Sequence, residues 1–234
     1  MKKYTILLLC IVMHCAQTMC MDAPVEKPIV TLFKAIKDRD NDKVKELVTA
    51  HPDIVNSYHA CPSSSCFERV LFGEVTPLHV AVHVNYTTNV HFLLVSNADC
   101  NAATKGGQAD TPLHLACSKE IAELLIENGA LVEKRNEHGW TPLYAALFHP
   151  WRRLNKEVAD CLIWYGADVN QRIEGPFQNT LLHEAASSSA PCDRVKLLLG
   201  HKADRTLVDA YGETPLKLAI HYHNGYEDLI SLLR

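Results

Sequence analysis

The 234-residue chain predicts an all-α repeat solenoid. Three observations carry that expectation. The pattern Thr-x-Leu-x-x-Ala occurs five times, as TPLHVA from Thr76, TPLHLA from Thr111, TPLYAA from Thr141, TLLHEA from Thr180 and TPLKLA from Thr214. The intervals are 35, 30, 39 and 34 residues, with a mean of 34.5. A fixed period of this size is the signature of stacked units that share one core. Each motif is followed by a second apolar run with leucines at helical spacing, as in residues 120–135, 158–172 and 194–208.

The motif reads as a helix start. In residues 109–118, Pro112 takes the first helical position, where its missing N–H costs nothing and its fixed φ suits the helix. Thr111 precedes a proline and is therefore extended, the conformation of an N-cap whose hydroxyl accepts a first-turn N–H. Leu113 and Ala116 are three apart and share an inward face. His114 recurs as His79 and His183 but gives way to Tyr144 and Lys217. That favours a histidine that bonds backbone and ties neighbouring units together over a ligand or catalytic base. Leu181 stands in the fourth motif where the others have proline. The second helices should stop at left-handed residues, namely Asn97, Gly129 and Gly166. Lys202 occupies the same slot, which predicts a strained non-glycine turn there.

Together, the Thr-Pro-Leu-His motif, the helix ends NGA and YGAD, and GADVN at residues 166–170 resemble the ankyrin repeat. The resemblance covers roughly residues 29–234. It implies two antiparallel helices and a β-hairpin-like loop per unit, stacked into a curved solenoid of about six units. Residues 29–58 look like a divergent N-terminal capping repeat. Residues 59–75 are an insertion loop, and repeats follow at 76–110, 111–140, 141–179, 180–213 and 214–234. The 30-residue unit should lack the turn between its helices near residues 117–120. The 39-residue unit carries extra residues around 148–156 and 174–178.

Residues 1–20 read as a signal peptide, with a basic Lys2-Lys3, an apolar stretch from Ile6 to Met13, and Thr18 and Cys20 before a cut at Met21. The alternatives are an ordinary apolar helix, an uncleaved anchor, or a lipid anchor on Cys15 or Cys20. The apolar run is far short of the ~20 residues a membrane span needs. Export to the periplasm or beyond is therefore expected. Loss of the two lysines would take the net charge from −4 to −6. With no basic tract, nucleic acid is not an expected partner.

Cleavage would leave six of the nine cysteines. Cys100, Cys117, Cys161 and Cys192 fit as small hydrophobes. Cys61 and Cys66 lie in the insertion, and an oxidising compartment would let them form a disulfide. Free thiols, or a metal site with His59 or His51, are the other readings. The metal reading lacks a second closely spaced ligand pair. No cofactor is expected. The sequence has no nucleophile elbow, phosphate-binding loop or zinc-protease helix, and nothing orients a Cys/His pair, so an enzyme is the least favoured reading.

The expected function is a non-catalytic module that binds a protein, as a monomer, along the concave face of the solenoid. The resemblance places the variable positions around each Thr-Pro on that face. These are Glu137, His138, Trp140, Phe148 and His149, then Phe177 and Asn179, then Tyr211, Glu213, His221 and Tyr222. Phe148 and Tyr222 follow first-helix motifs; Trp140, Phe177 and Tyr211 precede the next helix start. These five aromatics should line one groove. A passive envelope-attached spacer is the alternative. Exported bacterial proteins of this family further imply a factor directed at a host.

Overall fold

A computed structural model describes residues 27–60, 73–149, 154–188, 191–223 and 226–234. Six helical pairs follow one another along the described chain. The first is α1 (Pro28–Asp38) with α2 (Asn41–Ala50), followed by a 3-10 turn at Pro52–Asn56. The second is α3 (Pro77–His83) with α4 (Thr87–Val95). In the third, a single 3-10 turn, Pro112–Leu115, precedes α5 (Lys119–Glu127). Then come α6 (Pro142–Phe148) with α7 (Lys156–Trp164), and α8 (Leu181–Ser187) with α9 (Pro191–Gly200). The last pair is α10 (Pro215–Tyr222) with α11 (Glu227–Leu233).

First helices pack on first helices and second on second. α3 lies between α1 and the 3-10 turn of the third unit, which packs in turn on α6, while α4, α5 and α7 form the second row. The core is a continuous strip of fully buried residues that includes Leu32, Phe33, Leu78, Leu93, Leu113, Ile121, Leu143, Leu162, Leu182 and Leu198. No single pair could bury these residues alone, which is why stacking stabilises each unit.

The five threonines have nearly one backbone conformation, with φ from −81 to −90° and ψ from 161 to 167°. Thr180 holds it without a following proline. The cap, rather than the ring of proline, therefore sets the start.

The second helices end as the sequence predicts. Asn97, Gly129, Gly166 and Lys202 have φ of +63, +92, +96 and +64°. In each case the next residue, a buried alanine, donates its N–H to a carbonyl five residues back, as Ala203 does to Leu198 at 3.0 Å. This closes the helix and satisfies carbonyls that would otherwise face nothing. At Lys202 the left-handed turn costs roughly 1 kcal/mol that glycine avoids.

The short third unit lacks the turn between its helices, as expected, but it also loses part of its first helix. Its missing residues come out of the first helix as well as the connection. Helical bonding stops at Leu115, Ala116 turns extended at ψ 129°, and Ser118 caps α5 directly. The lost turn leaves a cavity of about 310 Å³ against α6, lined by Leu113, His114, Ala116, Cys117, Pro142 and Ala145, among others.

The ends of the insertion pair as β1 (His59–Ala60) and β2 (Glu74–Val75), antiparallel, with His59 opposite Val75. Glu74 extends the ladder to Lys105 in the next loop through two backbone bonds of 2.8 and 2.9 Å. Gly73 permits this approach: at φ +88°, an added Cβ would sit 1.9 Å from the Lys105 carbonyl oxygen. Cys61 and Cys66 lie outside the described residues, as do residues 1–26. Cys100 and Cys161 are buried among apolar side chains, and burial pushes the Cys161 thiol up to about 11. Cys117 and Cys192 are half-buried. Among the described residues, no helix is long and apolar enough to cross a membrane.

Candidate partner-binding face

The histidines are structural. His79 Nδ1 accepts the Thr76 N–H at 3.2 Å and lies 2.8 Å from the Thr76 hydroxyl. With Nδ1 accepting, the proton is on Nε2, which donates to the Asp110 carbonyl of the next loop at 3.1 Å. His114 repeats this with Thr111 and Trp140, and His183 with Thr180 and Glu213, both reaching the next loop at 2.9 Å. Each imidazole caps one helix and holds the following loop. Burial, the main cause, lowers all three pKa values, that of His79 to about 4. They are neutral at pH 7.

Two of those loops, the ones before Thr141 and Thr214, are fixed further by a side chain five residues before the threonine. Asn136 Oδ1 accepts from the His138 and Trp140 N–H groups at 2.9 and 3.0 Å. Asp209 Oδ1 accepts from Tyr211 and Glu213, both at 2.8 Å. Loop tips also bond to one another: Glu137 N–H donates to the Gln108 carbonyl, and Ala210 N–H to that of Phe177, each at 2.9 Å. The second of these bonds brings the residues three before Thr180 and three before Thr214 side by side. Phe177 and Tyr211 hold those positions, and their rings lie 5.9 Å apart.

Trp140 sits one residue before its threonine, so it joins a different cluster. Residues 140, 144 and 148 are four apart and project to one side of α6. Trp140 stacks on Tyr144 at 5.0 Å and 23°, and Tyr144 meets Phe148 at 5.0 Å. His138 closes one end, 4.9 Å from Trp140. At the other end, the Arg194 guanidinium lies 5.5 Å over the Phe148 ring while its Nε donates to the Leu147 carbonyl at 2.7 Å. The five expected aromatics thus fall into two groups, one on α6 and one around the later loops. Phe177, Tyr211 and Tyr222 line a cleft of about 300 Å³ with Asn179, Glu184 and Asp209, among others. Burial, with the negative charge of Glu184 as a lesser cause, pushes the Tyr144 phenol up to about 12.

Comparison with known proteins decides the family. The family model described as "Ankyrin repeats (3 copies)" matches residues 78–173 and 151–234, more than half of the chain. The chain belongs to the ankyrin repeat family. It is 35% identical over 164 residues to FPV031, an ankyrin repeat protein of Fowlpox virus (strain NVSL), covering 67% of this chain and 46% of that one. An ankyrin repeat protein of Rickettsia bellii (strain RML369-C) is 25% identical over 80% of this chain and 24% of its own length. YahD of Escherichia coli (strain K12) is 28% identical over 81% and 71% respectively. The chain thus spans less than half of the first two relatives.

Ankyrin repeats are in general protein-binding modules rather than catalysts, so exposure on the loop and first-helix side matters. Glu137, His138, Phe177, Tyr211, His221 and Tyr222 are exposed, Tyr211 at 69%. Trp140, Phe148, Asn179 and Glu213 are half-buried. Trp140 packs against the core as well as on Tyr144. His149 is a correction: it caps the end of α6, donates its N–H to Ala145 at 3.1 Å, and is only 5% exposed. It is not open to a partner. The sequence reading passed over Tyr144 because it saw only a lost histidine; the four-residue spacing from Trp140 and to Phe148 was the available signal. It also passed over Trp164, 85% exposed at the end of α7 on the second-helix row.

Proposed function

We propose that this chain is a non-catalytic ankyrin module that holds a partner protein along its loop and first-helix face. The observation that carries this is the aromatic row on α6 and the loops, which leaves Phe177, Tyr211 and Tyr222 more than half exposed. Rigid aromatics in such numbers dominate binding energies when a partner buries them. The tips that carry them are already fixed by Asn136, Asp209 and the inter-loop bonds, so little ordering entropy is lost on binding. The test is a hydrogen-exchange footprint of a captured partner. Protection should fall on α6, α8, α10 and the preceding loops. Protection confined to α5, α7 and α9 would place binding on the other face, where Trp164 stands.

Export is part of the proposal. Its support is the basic, apolar, small-residue order of residues 1–20. Protein recovered outside the cytoplasm should have an intact mass beginning near Met21, and a full-length mass there would refute export by cleavage. A host-directed role is a further part of the proposal and rests on the family resemblance alone.

A further inference from the structure

We infer that the cleft between the last two loops is a receptor for an arginine side chain presented by an extended segment of the partner. The inference rests on the partner-binding reading above and goes one step further, to the chemistry of the anchor.

The cleft has aromatic walls and an acceptor-rich lining. Phe177 and Tyr211, in contact with each other at 5.9 Å, form one wall, and Tyr222 of α10 also lines it. Its polar lining includes Glu184, Asp209 and Asn179. Asp209 Oδ1 already accepts two loop N–H groups, which leaves its other oxygen and its charge. Glu184 makes no ion pair among the described residues, whereas neighbouring cations are occupied. Arg172 Nη1 donates to the Gln178 and Val208 carbonyls at 2.7 and 3.0 Å, and Lys217 pairs with Glu213 at 3.3 Å. What the cleft lacks is a positively charged group with several N–H donors and a flat face.

Guanidinium fits that description better than ammonium. It is planar, stacks on aromatic rings, forks onto a carboxylate and loses less hydration on burial. The chain already makes the same kind of contact beside this face, where Arg194 lies over Phe148. A volume of about 300 Å³ accommodates one long side chain and not a folded element. The occupant is therefore a single residue, held by an extended segment that runs across the loop tips.

The probe is the peptide acetyl-Gly-Gly-Arg-Gly-Gly-amide, titrated into the folded protein and followed through the backbone amides of Tyr211, Gly212 and Glu184. Those signals should shift in a saturable way. Citrulline, which keeps the shape and loses the charge, should bind about ten-fold more weakly, and lysine should also bind more weakly. Glu184→Gln and Tyr211→Ala should each reduce arginine binding about ten-fold or more with unchanged circular dichroism. Equal binding of citrulline, equal binding of lysine, or full binding by Glu184→Gln would overturn the assignment. If the footprint on α6, α8 and α10 stands while these titrations fail, only the arginine anchor is lost. If the footprint fails, the face itself is misassigned.

Discussion

Acidification from about pH 7 to about pH 4 is expected to weaken the fold, with His79 alone accounting for roughly 3 kcal/mol. The native His79 imidazole titrates at about 4 because burial disfavours its charged form. In the unfolded chain it would titrate near its ordinary value of 6.5. Between those two values the unfolded chain holds a proton that the native state does not. Stability is therefore fully present above 6.5 and is lost as the pH falls toward 4. The gap corresponds to roughly 3 kcal/mol. His114 and His183 shift in the same direction for the same reason and add to the loss.

The structural cause is that each ring uses both nitrogens. Protonating Nδ1 removes the acceptor for a threonine N–H and releases the cap, while Nε2 still faces the next loop's carbonyl. Cap and inter-unit tie thus depend on the same neutral ring. Denaturant midpoints measured across this range should fall steadily with acid. His79→Asn should lower stability at neutral pH and flatten the curve. A wild-type curve that is flat between 4 and 6.5 would contradict the assigned role of the histidines.

The second prediction with a large effect concerns binding. Replacing Trp140 and Tyr211 together by alanine is expected to abolish partner capture. The two residues anchor different groups, the α6 stack and the late cleft, so losing both leaves no intact stretch of the aromatic face. Each strong aromatic anchor contributes ~2 kcal/mol or more on truncation, and a double loss therefore weakens binding by about a thousand-fold. Tyr211 is 69% exposed, and its removal should hardly affect folding. Trp140 is half-buried and stacked on Tyr144, so its removal should cost some stability, and capture must be compared at matched folding by circular dichroism.

The repeat architecture was legible because it is local and periodic. Thr-Pro fixes a cap within a few residues, and a left-handed stop such as Gly166 declares itself in one. Even Lys202, a residue that resists the turn, was placed correctly by register alone. The site was less legible because side-chain neighbourhoods depend on one-residue offsets between units. Trp140 and Tyr211 both precede a threonine, yet by one residue and by three, and that difference puts them in separate groups. Tyr144 changed meaning for a similar reason: what reads as a missing capping histidine is the middle of an aromatic stack. The shortened helix at Pro112–Leu115 was misjudged because a 30-residue spacing states how much is missing and not from where. His149 was assigned to the open face because it follows the first-helix motif, where the resemblance places variable positions, whereas here the end of α6 is covered.

The most direct measurement of the central claim is partner capture by four proteins of equal folding: wild type, Trp140→Ala with Tyr211→Ala, Glu123→Ala with Lys196→Ala, and Trp164→Ala. Wild type and the two second-helix variants should capture equally, since α5, α7 and α9 lie outside the proposed face, and the aromatic double variant should capture nothing. If the double variant captures as wild type does, or if Trp164→Ala alone removes capture, the aromatic row is packing and the binding face lies elsewhere on the solenoid.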